Sequence, residues 1–123
     1  MKLVPNRRAG AALLVTVVAG GSVATGVAVA ATSLKINAVN GKLAFTKKSA
    51  SAKAGTVRIT MKNPAPFKHA IAIKGNGVNV KGKVVGKGGT SRVSTRLKKG
   101  RYEFYCPVPG HEEGGMKGTL TVE

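Results

Sequence analysis

Residues 97–122, LKKGRYEFYCPVPGHEEGGMKGTLTV, hold the protein's only cysteine, one of its two histidines and one of its three methionines. Tyr102-Glu103-Phe104-Tyr105-Cys106 reads as a β-strand, and Gly118 to Val122 recovers the same signal as Thr-Leu-Thr-Val. Between them Pro107, Pro109 and three glycines permit a tight excursion. Cys106, His111 and Met116 stand in that excursion at the spacing C-x4-H-x4-M. A helix or an extended strand would scatter these side chains, whereas a turn-rich loop can return them to one point.

The rest of the chain, read outward from this segment, is a series of short strands, and no stretch shows helical periodicity over three turns. Leu34–Val39, Leu43–Thr46 and Thr56–Met61 are expected as half-buried strands. His69-Ala70-Ile71-Ala72-Ile73 puts His69, Ile71 and Ile73 on one face, Val78–Val85 is glycine-broken and expected as an irregular edge, and Arg92–Leu97 is a further strand. Turn residues separate them, among them Asn40-Gly41, Asn63-Pro64-Ala65-Pro66, Gly75-Asn76-Gly77 and Gly88-Gly89. Seven or eight strands in the length of one domain imply an all-β, Greek-key β-sandwich.

The donors favour a metal. A thiolate and two imidazoles in a near-trigonal set, with a long axial thioether, make the ligand field of a type 1 copper ion. Cys106, His111 and Met116 supply three members of that set, and His69, the other histidine, supplies the fourth from a separate strand. Each residue also has an ordinary reading: the cysteine as a small core residue, Met116 as packing, His69 as a satisfied strand histidine and His111 as an exposed turn residue. All four coincidences are needed together to dispense with the metal.

The segment 97–122 resembles the ligand loop and flanking strands of the cupredoxin family of blue type 1 copper proteins. Its loop spacing is similar to that of longer-loop members such as auracyanin and rusticyanin rather than plastocyanin. The stretch from Ala54 through Asn63 to His69 shares the likeness, which is weakest from Val78 to Arg92. The resemblance implies an eight-stranded Greek-key sandwich with copper at one end, bound by His69, Cys106, His111 and Met116, and one-electron transfer rather than enzymatic catalysis. It also implies that His111 lies near the surface as the electron's short exit, with Tyr105 a candidate for a longer route. One departure is Ala70, where many members carry an asparagine that ties the two ligand loops together.

The N-terminus sets the compartment. Lys2, Arg7 and Arg8 precede an uncharged run from Ala9 to Leu34, with the small-residue pattern Ala28-Val29-Ala30 within it. Residues 1–30 are therefore expected as a signal peptide, or as an uncleaved anchor, and residues 31–123 as the single domain. Either way the domain is exported: periplasmic, cell-surface or extracellular. A domain of that size buries only about 60–65% of its unfolded surface. With one cysteine it has no internal disulfide, so a metal is the natural reinforcement.

The formal net charge is +17, and from Ala31 to Tyr102 there are 17 Lys and Arg residues and no acid. Such a field favours acidic redox proteins as partners, or an anionic membrane or cell-wall surface. Nucleic acid is not expected, since only five aromatic residues are present to stack on bases. A monomer is expected. The rival function is a copper-binding or delivery protein without electron transfer, for which a methionine-rich site would be the sign; a structural polycation is another. A hydrolase is disfavoured because both histidines are taken as ligands. A dinuclear copper site lacks its second cysteine.

Overall fold

The structure, a computed structural model, describes residues 31–123. The signal or anchor expected over residues 1–30 lies outside the described residues. Among the described residues eight strands form: β1 (Thr32–Lys35), β2 (Ser49–Ala52), β3 (Gly55–Lys62), β4 (Ala72–Gly75), β5 (Val78–Lys81), β6 (Thr90–Leu97), β7 (Gly100–Tyr105) and β8 (Lys117–Val122). They make two mixed sheets, one of three strands in the order β1-β3-β6 and one of five in the order β2-β8-β7-β4-β5. This is the expected eight-stranded sandwich.

Alternation decides which faces meet. In β3 the buried residues are Val57, Ile59 and Met61, while Arg58 and Lys62 face outward. In β7 and β8 the inward residues are Tyr102, Phe104, Leu120 and Val122. These meet Ile36, Phe45, Ile71, Ile73, Val93 and Leu97 in one core, and the rings of Phe45 and Phe104 pack tilted with centroids 5.6 Å apart. Burial of this apolar set is the main stabilising contribution, about 1.5–3 kcal/mol for each large side chain.

Four local expectations are corrected. The strand expected over Leu34–Val39 runs instead from Thr32 to Lys35 as β1, and Ala38 makes only an isolated bridge. Leu43–Thr46 forms no strand: only Phe45 makes a single bridge, to Ala38, as the chain turns from one sheet toward the other. The strand expected from His69 starts at Ala72, and His69 instead exchanges both backbone hydrogen bonds with Val85, at 3.1 and 2.9 Å. Val78–Lys81 is a regular edge strand, and the irregularity expected across this region is confined to the residues after Lys81. β2 has no counterpart in the sequence reading. Its residues Ser-Ala-Ser-Ala carry neither branched nor aromatic side chains, and its strand conformation comes from parallel pairing with β8.

Candidate metal centre

Cys106 follows the last residue of β7, so its position is fixed by the ladder between β7 and β8. The excursion that follows is wound on itself by backbone bonds. Cys106 N–H donates to the Met116 carbonyl, Met116 N–H to the His111 carbonyl and His111 N–H to that of Val108, each at 3.0 Å. Gly110 and Gly115 have φ of +83° and +112°, backbone that other residues adopt only with strain. Met116 and Cys106 are both fully buried at this end of the core.

His69 comes from the other direction, and its position depends on Asn63, at the start of the Asn63-Pro64-Ala65-Pro66 turn. Asn63 is buried, and its side-chain amide donates to the carbonyls of Phe67 (2.8 Å) and Val85 (3.0 Å) while its oxygen accepts from Ala65 N–H (2.9 Å). Asn63 thus braces the Pro64–Lys68 turn against the Val85 segment that also holds the His69 backbone. The sign available in the sequence was an asparagine at the end of a strand before a proline-rich turn, which side-chain-to-backbone bonding favours.

The two arms converge. His69 Nδ1 and His111 Nδ1 are 3.2 Å apart, and Cys106 Sγ is 3.5 Å from His111 Nδ1. One donor atom from each of these three residues lies within 4.8 Å of the other two. His69 is only 1% exposed, whereas His111 is half-buried, on the solvent side of the group. The backbone of Ala70 hydrogen-bonds the Cys106 sulfur, as does that of Val108. A main-chain contact therefore links the two ligand arms at the position where the expected asparagine is missing.

Electrostatics fit a cation at the convergence point. Burial, and then the neighbouring His111, push the His69 pKa down, keeping its ring neutral with a lone pair to offer. Burial pushes the Cys106 thiol up despite those two backbone hydrogen bonds, so the thiolate requires a positive charge close by. Two facing Nδ1 atoms can share only one proton between them. A metal ion would satisfy both nitrogens and the sulfur together, and a soft sulfur with two imidazoles suits copper. Beside the site, Lys74 bonds Glu112 at 2.6 Å, approaches Glu103 at 3.8 Å and lies 4.4 Å above the Tyr105 ring. Tyr105 is buried beneath it, its hydroxyl donating to Asn79 Oδ1 at 2.7 Å.

Comparison with known proteins agrees with this chemistry. Residues 32–123 match the family model for copper binding proteins of the plastocyanin/azurin family. Among solved structures, the chain is similar to a dithionite-reduced auracyanin from Roseiflexus castenholzii, with 29% identity and a TM-score of 0.68 over 75% of this chain and 97% of that one. Auracyanin A of Chloroflexus aurantiacus, described as a "blue" copper protein, is 25% identical with a TM-score of 0.66 over 76% of this chain and all of that one. Amicyanin from Paracoccus versutus, 19% identical with a TM-score of 0.55 over 74% and 81% of the two chains, shares the fold. No curated protein sequence matches the chain. The sandwich, the converged sulfur and nitrogen donors and the family match lead to one conclusion: the chain belongs to the plastocyanin/azurin family of copper-binding cupredoxins.

Proposed function

We propose that the protein is an exported, monomeric one-electron carrier whose copper is held by His69, Cys106, His111 and Met116, and which exchanges electrons with acidic redox proteins. The observation that carries this reading is the approach of Cys106 Sγ and the two histidine donors to within 4.8 Å of one another. Bound copper supplies a single-electron change between Cu(I) and Cu(II). The chain's own part is to keep the donors still. β7 and the 106–116 loop fix Cys106, His111 and Met116, and Asn63 with the Val85 segment fixes His69. With both arms anchored, little rearrangement accompanies a change of charge.

His111, half-buried, offers the short path to solvent. Both histidines serve as ligands, so neither is left to move protons for a hydrolytic reaction, and no bond of a substrate is broken. The charged start, apolar run and Ala28-Val29-Ala30 pattern of residues 1–30 support export.

The test is a Cu(II) titration of the metal-free protein followed by visible absorption and EPR, beside Cys106→Ser. An intense blue band with narrow hyperfine splitting, lost in Cys106→Ser, is expected. A pale spectrum with ordinary tetragonal splitting would favour a copper-delivery protein instead.

A further inference from the structure

The outer face of the three-stranded sheet has a pattern that copper binding does not explain. Alternation puts Lys35 of β1, Arg58 and Lys62 of β3, and Arg92 and Arg96 of β6 on this face, all exposed. Each stands opposite a hydroxyl: Arg58 lies between Ser33 and Ser94, Thr60 between Lys35 and Arg92, Thr56 beside Arg96 and Thr90 beside Lys62. No two cations are directly opposed, which limits cross-strand repulsion, while Arg58 has Arg92 and Arg96 as diagonal neighbours at about 7–8 Å.

The choice of cation is also uneven. Residues 31–123 contain 14 lysines and four arginines, and three of those arginines are on this face. Lysine serves solubility as well as arginine does, but the planar guanidinium fork takes both oxygens of a carboxylate. No acid shares the face, and among the described residues the ion pairs are those of Lys74 with Glu103 and Glu112, near the metal centre. The exposed large apolar residues, Phe67 and Val84, lie in other segments. A face with no apolar wedge has nothing to insert into a bilayer, and one with no aromatic ring has nothing to stack on a base.

We propose that this face binds a linear acidic polysaccharide, its carboxylates held by Arg58, Arg92 and Arg96 and its sugar hydroxyls by the intervening Ser and Thr side chains. The face runs along the flank of the sandwich, whereas His69, Cys106 and His111 converge at one end. A protein held by this flank keeps its copper end open to a redox partner.

The test measures binding of the copper-loaded protein to polygalacturonate at an ionic strength of about 0.15 M, where surface charges more than about 8 Å apart are largely screened. The triple variant Arg58→Gln/Arg92→Gln/Arg96→Gln is compared with Lys47→Gln/Lys53→Gln/Lys99→Gln, which removes equal charge from exposed positions elsewhere. The arginine variant is expected to bind about tenfold more weakly or worse, since each of three contacts contributes a factor of about two to five, and the lysine variant to change by less than about threefold. Arg58→Lys/Arg92→Lys/Arg96→Lys keeps the charge without the fork, and a clear weakening there supports the carboxylate geometry even if the glutamine variant fails to fold. Equal weakening in the arginine-to-glutamine and lysine-to-glutamine triples would overturn the proposal in favour of diffuse charge. Tighter, face-dependent binding to phosphatidylglycerol vesicles than to polygalacturonate would overturn it in favour of a membrane. The readout is binding, so its failure is distinct from failure of the electron-carrier reading, which the blue band reports.

Discussion

Asn63 and Glu103 carry the sharpest expectations for single residues. Asn63 makes three hydrogen bonds in the buried turn before His69. Asn63→Ala leaves the Ala65 N–H without its partner and removes a donor from two carbonyls, which should lower stability by about 2–4 kcal/mol in chemical denaturation. It should also broaden the copper EPR signal, because the His69 arm loses its brace. Glu103 has a carboxyl oxygen buried without a hydrogen-bond partner, and burial pushes its pKa up from the usual 4.5. A raised folded pKa favours the protonated form in the native state, so that stabilisation is present below pH 4.5 and is lost as pH rises through the folded value. Glu103→Gln keeps the size, carries no charge and can donate to Glu112. Its urea midpoint at pH 7 should therefore exceed the parent's, with the two curves converging below pH 4.5.

Among the elements, β8 shows how one position joins two structural demands. Gly118 pairs with Phe104 across the β7–β8 ladder, and a Cβ there would run into the Phe104 ring and come within 2.7 Å of the Lys48 carbonyl. The ring needs that space to reach Phe45 in the core. Gly118→Val is expected to cost about 1–3 kcal/mol from overpacking, read as a lower thermal midpoint. Because β8 leads out of the ligand loop, the same variant should also weaken the blue band at fixed copper. A variant that keeps both would show that the Phe104 ring can move aside. β2 and the Leu43–Thr46 segment teach the complementary lesson. Apolar alternation at Leu43–Thr46 suggested a strand where only one bridge forms, and the small residues of Ser49–Ala52 gave no signal where a strand does. Backbone pairing with β8 decided the second case, and pairing partners are not written in a local window.

For the whole molecule, charge is the dominant feature. The chain carries 21 Lys and Arg residues against four acids, and two of those acids, Glu103 and Glu112, are engaged with Lys74 beside the metal centre. Electron exchange with an acidic redox protein is expected to slow steeply as ionic strength rises, since screening shortens the reach of the lysine and arginine field. A stopped-flow series across salt concentration checks this. A rate independent of salt would exclude steering, and the partner's chemistry would then have to be sought in short-range contacts.

The class of fold and the candidate donors were legible without any coordinates. Alternation with period two and frequent turn residues specify strands, and His69, Cys106 and His111 were identifiable because a protein with two histidines and one cysteine has few ways to build a sulfur and nitrogen ligand set. Met116 was legible by its spacing from His111, and the structure buries it at the same end of the core. What depends on contacts between distant parts of the chain emerged with the fold. It gave β2 its strand, confined the His69 pairing to a bridge with Val85, put the Ala70 backbone against the Cys106 sulfur and made Asn63 the brace of the His69 arm. It also gathered Arg58, Arg92 and Arg96, 34 and 38 positions apart from the first in sequence, onto one face. One cause underlies all of these: a residue's own chemistry and near neighbours set its preference, but hydrogen bonds and packing across the sheets select which preference is realised.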